Sequence, residues 1–271
     1  MGTAELACPC LEAVAGQVIG VVTQPDRPKG RSLEVSPPPV KVTAGKLGLR
    51  VMQPVKVREA VEEIRAARPD LIIVVAYGQI LPQSILEIPP RGCINVHTSL
   101  LPRWRGASPI QHAILHGDRE TGVTTMFINE KMDAGDIILQ RAEPICPDDT
   151  AGALQDRLAP LGAKLLVETL ASAFPRHPQD ESQVTYARKL TKDDGRIDWK
   201  KPAVEIERQV RAFNPWPGAF AFLGDLMVKL WKAEVMKDEL RLLEVQPANG
   251  KRMSFESFQR GHPDALAKGW C

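Results

Sequence analysis

Short apolar runs alternate with amphipathic stretches through most of the chain. Six consecutive apolar residues, Leu71 to Ala76, follow Asp70, and four of them are β-branched, the mark of a buried strand. Val18 to Thr23, Arg50 to Gln53, Gly122 to Asn129 and Asp136 to Glu143 read as further strands. Between them, Glu5 to Ala15, Val40 to Leu47, Val57 to Ala67 and Ile110 to His116 carry helical spacing. A long helix follows from Thr150, its cap, to Phe174, with Leu154, Leu158, Leu161, Leu165 and Leu166 on its buried face. This alternation predicts an α/β fold with a largely parallel sheet. Pro175 to Asp198 is polar and proline-bearing and reads as a linker. Beyond it lie a short helix from Ile206 to Ala212, a tight aromatic turn at Asn214 to Ala219, and the alternating segments Phe220 to Phe222, Met227 to Trp231 and Leu240 to Val245. Those segments predict a small β domain, closed by a helix that begins near Gly250.

One stretch, Gly92 to Ile110, breaks the pattern. Its apolar run of Cys93, Ile94 and Val96 is interrupted by Asn95 and His97, two apart and therefore on one face of a strand. Buried polar side chains cost free energy unless they are partnered, and a strand interior would not normally carry both, so the pair is read as a polar pair at a strand end. Leu100-Leu101-Pro102 then stops the strand, because proline cannot donate to a ladder. Arg103-Trp104-Arg105-Gly106 forms a stiff lip, and Pro109 suits the first turn of a helix.

Composition narrows the reading. The 271 residues suit one large or two ordinary domains, and the 44% hydrophobic content is ample for a core. The net charge of +2 is small, but eight lysines and arginines between Gln24 and Arg58 face only Asp26 and Glu34, a candidate anion-facing patch. The five cysteines, Cys8, Cys10, Cys93, Cys146 and Cys271, form no C-x-x-C pair and read as reduced thiols. His112 and His116 have metal-ligand spacing without a third ligand and read as surface histidines, so no metal is expected. No run approaches 18 apolar residues and no signal peptide opens the chain, so a cytoplasmic protein without membrane contact is expected. Neither a Walker motif nor G-x-G-x-x-G is present, which argues against ATP and NAD.

Asn95-x-His97, Ser99 to Pro102, Arg103 to Ile110 and Met132-Asp133-Ala134-Gly135-Asp136 together resemble the folate-dependent formyltransferases, most closely the branch that acts on methionyl-tRNA. The resemblance implies a Rossmann-like α/β domain over residues 1–178, a linker over 179–198 and a shortened, OB-like β-barrel domain over 199–271. It implies catalysis by Asn95, His97 and Asp133. A pocket for the co-substrate 10-formyltetrahydrofolate would form from Ser99, Leu100, Leu101, Pro102, Tyr77 and Gly78. Arg27, Lys29 and Arg31 in the basic loop would contact initiator methionyl-tRNA, whose α-amino group receives the formyl group. A monomer is expected. Two features depart from the family. The sequence begins where the first, central strand should already have ended, and between Glu234 and Leu240 there is no room for about two of the barrel's strands. A sister enzyme that formylates a small amine or hydrolyses the formyl donor, and a truncated relative that binds without turnover, are the alternatives.

The chemistry fits these residue types. Formyl transfer to an amine passes through a tetrahedral oxyanion. The Asn95 amide would donate to that oxygen, and loss of such a donor typically costs ~10²–10³ in kcat. His97 would shuttle a proton, and a nearby Asp133 would favour the imidazolium, raising its pKa by roughly 1–3 units. Ser99 lacks a nucleophile elbow and is not expected to be modified.

Overall fold

The computed structural model describes residues 1–29, 34–263 and 269–270. The chain folds as two compact units. One comprises Met1–Gly106, Thr121–Glu143 and Gln155–Tyr186, and the other Ala107–Glu120, Pro144–Leu154 and Ala187–Cys271.

The first unit carries β1 (Val21–Val22), β2 (Arg27–Lys29), β3 (Glu34–Ser36), β4 (Val51–Met52), β5 (Ile72–Val74), β6 (Cys93–His97), β7 (Arg105–Gly106), and most of β8 (Glu120–Phe127) and β9 (Ile137–Pro144). Its helices are α1 (Cys8–Ala13), α2 (Pro39–Lys46), α3 (Val61–Ala66), the one-turn α4 (Gln83–Leu86) and most of a long helix, Ala151–Ala171. Each strand expected from the apolar runs is present; β1, β4 and β5 are shorter than their runs, whereas β8 and β9 keep the expected length and shift by one or two residues. The main sheet runs β5-β6-β8-β9 and is mixed: β5 lies parallel to β6, and β8 antiparallel to it. The long helix starts one residue after Thr150, whose hydroxyl accepts the Ala153 N–H at 3.2 Å. Leu158, Leu165 and Leu166 are buried, and Thr169 reaches the sheet through a 2.8 Å hydroxyl contact with Thr125.

β1 and β4 form a separate parallel pair. Among the described residues, Met1 to Thr3 lies between β1 and β5, with Gly2 bridging Val75 in parallel. Gly2 N–H donates to Val22 O (3.0 Å) on one side, and Met1 O accepts from Val75 N–H (2.9 Å) on the other. The Met1 ammonium donates to Ile73 O at 2.5 Å. These few bonds hold one end of an open slot. The rest is a cavity of about 320 Å³ lined by aliphatic groups such as Val18, Val21, Ile73, Leu166 and Leu170. Among the described residues no further strand joins β1 to β5, and the cavity occupies the space between them.

The proline-rich segment after β1, expected as a long loop, begins and ends as a hairpin, with Arg27 opposite Ser36 and Lys29 opposite Glu34. The Asp26 carboxylate anchors it, accepting from Lys41 Nζ (2.7 Å) and Gln53 Nε2 (2.7 Å), and both contacts hold its pKa below the usual carboxylate value.

In the second unit, β11 (Ala219–Leu223), β12 (Leu226–Met236), β13 (Glu239–Pro247) and β14 (Met253–Ser254) follow β10 (Tyr186–Ala187) in the chain and form one antiparallel sheet in sequential order. With α5 (Pro109–Leu115) in this unit, the Ala151–Ala171 helix is α6, and α7 (Ala203–Ala212) and α8 (Phe255–Gly261) complete the list. Ile206 and Val210 of α7 and Phe258 of α8 pack with Val228, Leu230 and Val245. Among the described residues β11 and β14 do not pair, so the shortened barrel takes the form of an open sheet.

Candidate active site

β6 is flanked on both sides, with Asn95 opposite Val74 of β5 and Met126 of β8. Asn95 is half-buried and His97 buried, both on the face expected from their spacing. The His97 ring is oriented by the lip that follows. Its Nε2 lies 2.9 Å from the Trp104 carbonyl oxygen. A carbonyl only accepts, so Nε2 carries the hydrogen and Nδ1 is the nitrogen left for proton exchange. Trp104 has φ +64, a left-handed conformation, and its N–H donates to Thr185 Oγ1 at 2.9 Å.

Nδ1 faces Asp133. The His97 Nδ1 to Asp133 Oδ2 distance is 3.8 Å, too long for a hydrogen bond but within ion-pair range when the ring is protonated. The same Oδ2 accepts the Gly106 N–H at 2.8 Å, and Oδ1 lies 3.4 Å from Asn95 Nδ2. Amide, imidazole and carboxylate thus converge, although 38 residues separate Asn95 from Asp133. Asp133 sits at φ +49 in the turn between β8 and β9. That turn closes tightly: a Cβ on Gly135 would lie 1.9 Å from Phe127 O, so only glycine fits. None of the three side chains lines the 320 Å³ cavity, which belongs to the slot beside β1.

With this geometry in view, comparison with known proteins is decisive. The formyl transferase family matches residues 4–170, and the formyl transferase C-terminal domain matches residues 189–240. The chain belongs to the formyl transferase family. The methionyl-tRNA formyltransferase of Trichlorobacter lovleyi is 45% identical over 98% of this chain and 94% of its own. The solved methionyl-tRNA formyltransferase from Clostridium thermocellum shares the fold with a TM-score of 0.61 at 16% identity, over 85% of this chain and 99% of that one. The Helicobacter canadensis N-formyltransferase, solved with folinic acid and dTDP-3-aminofucose, does so with 0.66 at 21% identity, over 87% and 86%.

Within this formyltransferase the remaining expected site residues fall into two groups. Leu100 and Pro102 are half-buried and Gly78 is exposed. Gly78 follows β5 and Leu100 follows β6. These strands are parallel, so both residues lie beyond carboxyl ends of the sheet, where ligands bind in such folds. Ser99, Leu101 and Tyr77 are instead turned inward. Ser99 Oγ donates to Arg103 O at 2.6 Å, and Leu101 is 3% exposed. The Tyr77 ring is 1% exposed in the core, and burial pushes its hydroxyl up to about 12. Tyr77 can therefore meet a ligand only through its main chain, whose carbonyl already accepts from Thr3 Oγ1 (2.8 Å) and Gln24 Nε2 (3.0 Å).

Arg27 is exposed at the base of the hairpin, while Arg31 and the Lys29 side chain lie outside the described residues. Two other bases of the patch are spent locally, Lys41 on Asp26 and Arg50 on Glu63. Sequence reasoning missed Thr124, which fixes the Ser99–Pro102 loop: fully buried, it donates to Ser99 O (2.6 Å) and accepts from Leu101 N–H (3.2 Å) and Gln140 Nε2 (2.9 Å). Arg105, read as part of a stiff lip, is 3% exposed.

His112 is not a surface histidine. It is 7% exposed, and its Nδ1 donates to Ser108 O at 2.9 Å. Burial lowers its pKa, the Ser108 contact opposing. Among the described residues no group of three or more metal-binding side chains is arranged around a common point, and no helix is long and apolar enough to cross a membrane.

Proposed function

We propose that this formyltransferase moves a formyl group from 10-formyltetrahydrofolate to the α-amino group of methionyl-tRNA for translation initiation. The observation that carries the reading is the Asp133 carboxylate, set between the Asn95 amide, His97 Nδ1 and the Gly106 N–H. The amine attacks the formyl carbon and the carbonyl oxygen becomes an oxyanion, to which Asn95 Nδ2 donates. Collapse breaks the bond from carbon to the folate nitrogen. One proton leaves the amine and one arrives on that nitrogen. His97 Nδ1 carries it, because Nε2 is committed to Trp104. The carboxylate opposite stabilises the ring while it is charged.

The folate is assigned to the rim beyond β5 and β6, with Leu100, Pro102 and Gly78 as its walls. The fit rests on these residues being accessible at parallel strand ends. Ser99 and Leu101 shape that wall from behind. Arg27, with Lys29 and Arg31 of the same sequence segment, is assigned to tRNA phosphates. A small-amine acceptor gives such a basic segment no task.

The test is turnover of 10-formyltetrahydrofolate with Met-tRNA, a sugar amine or water as acceptor. Formylation of Met-tRNA is expected. Asn95→Ala and His97→Ala should each lower kcat by about 10²–10³-fold while tRNA binding survives. Full activity in either variant would remove the assigned roles, and preference for the sugar amine would replace the acceptor.

A further inference from the structure

We propose that Gln179 is a positioning residue that aims the Asp133 carboxylate, and that buried Arg105 holds Gln179 in place. The proposal rests on the catalytic reading of Asp133 given above. Gln179 lies in the polar stretch after α6, where the sequence pattern shows only a linker. Both hydrogens of its carboxamide are spent on the turn that carries Asp133: Nε2 is 2.9 Å from Asp133 O and 2.8 Å from Gly135 O. Its oxygen accepts from Arg105 Nε at 3.0 Å. Arg105 is itself fixed, its main-chain N–H donating to Thr185 O (2.9 Å) and its guanidinium forking onto Glu181 at 2.8 and 3.3 Å. The Arg105 hydrogen bond holds the Glu181 pKa below its usual value.

The turn needs such a hold. A non-glycine residue at positive φ is strained, by roughly 1–3 kcal/mol, and persists only when its surroundings over-determine it. Apolar packing at the tip does not supply this, since Lys131 and Met132 are exposed. The residues around Gln179 strap the back of the same turn. His177 exchanges two main-chain hydrogen bonds with Ile137 (2.9 and 3.0 Å), and the Arg176 guanidinium lies 3.7 Å from the Phe127 ring centroid while pairing with Asp136. On the front, Gly106 N–H fixes Oδ2 directly after Arg105 in sequence. Arg105 and Gly106 thus grip Asp133 from both ends, one through Gln179 and its carbonyl, the other through its carboxylate.

The experiment compares Gln179→Ala with Gln179→Glu, which keeps the acceptor for Arg105 but loses both donors. Each should lower kcat for Met-tRNA formylation by about 10–100-fold, with both KM values within about threefold and the melting temperature nearly unchanged. If Gln179 acts through Asp133, adding Gln179→Ala to Asp133→Asn should cost less than about twofold more. Hydrogen exchange at the Gly106 amide should quicken at least about tenfold in both single variants. Retention of kcat within twofold, losses that multiply with Asp133→Asn, or unchanged Gly106 protection would each overturn the proposal. Should the parent protein not formylate Met-tRNA, the functional reading fails, and Gly106 exchange alone still decides whether Gln179 positions the turn.

Discussion

Strand β5 has two unlike neighbours. On one edge it pairs with β6, which carries Asn95 and His97 beside the Asp133 carboxylate, with His97 Nε2 bonded to the Trp104 carbonyl. On the other it borders the slot beside β1, where Met1 and Gly2 make a few hydrogen bonds and a largely aliphatic cavity of about 320 Å³ lies open. The rim is polar and the slot is apolar. Chemistry and stability therefore depend on separate parts of one sheet, and each can be perturbed with little effect on the other.

The largest expected effect lies at the rim. Asp133→Asn keeps an acceptor for the Gly106 N–H but removes the charge opposite His97 Nδ1. It should lower kcat by about 10²–10⁴-fold and leave the denaturant midpoint nearly unchanged. Equal losses of activity and stability would erase the division between the two regions.

The slot should respond in the opposite sense. Five alternating Val and Ile residues added ahead of Met1 should pair with β1 and β5 and fill the cavity. Each buried aliphatic contributes roughly 1.5–3 kcal/mol, offset by about 1–2 kcal/mol per residue of backbone ordering. A net gain of about 2–4 kcal/mol is expected in urea unfolding, absent from a Gly-Ser extension of equal length. A gain in both would assign the effect to something other than filling.

A smaller effect depends on pH. Burial lowers the Met1 ammonium from its ordinary value of 8.0 to about 6, with Cys93 opposing. Below pH 6 both folded and unfolded chains carry the proton, and the folded chain bears a buried charge. Between pH 6 and 8 only the unfolded chain is protonated, so stability rises with pH across that window, by about 2–3 kcal/mol at most. The Val-Ile extension moves the amine out of the slot and should flatten this rise.

The strands were legible from continuous apolar, β-branched runs, and the Asn95, His97 pair from its spacing of two on one strand face. Asp133 was legible only through its motif, since nothing local announces that the turn after β8 folds back onto β6. Gln179 was hidden because a polar residue in a polar stretch leaves no periodic trace. The burial of Arg105 was not legible, because it depends on Gln179 and Glu181, over 70 residues away. The β2 and β3 hairpin was masked by prolines, which argue for loop but are tolerated in an edge pair. His112 was taken for surface because a single helix face cannot show which of its sides another element covers.

One contact at the rim limits the course of the reaction. With Nε2 anchored to the Trp104 carbonyl, the imidazole has a single door. It cannot pass a proton in through one nitrogen and out through the other, as a ring acting as a wire does. Every proton it handles must leave by the atom through which it entered. On the proposed mechanism the donor and the recipient must therefore visit that atom in turn, the amine giving up its hydrogen there before the folate nitrogen collects it.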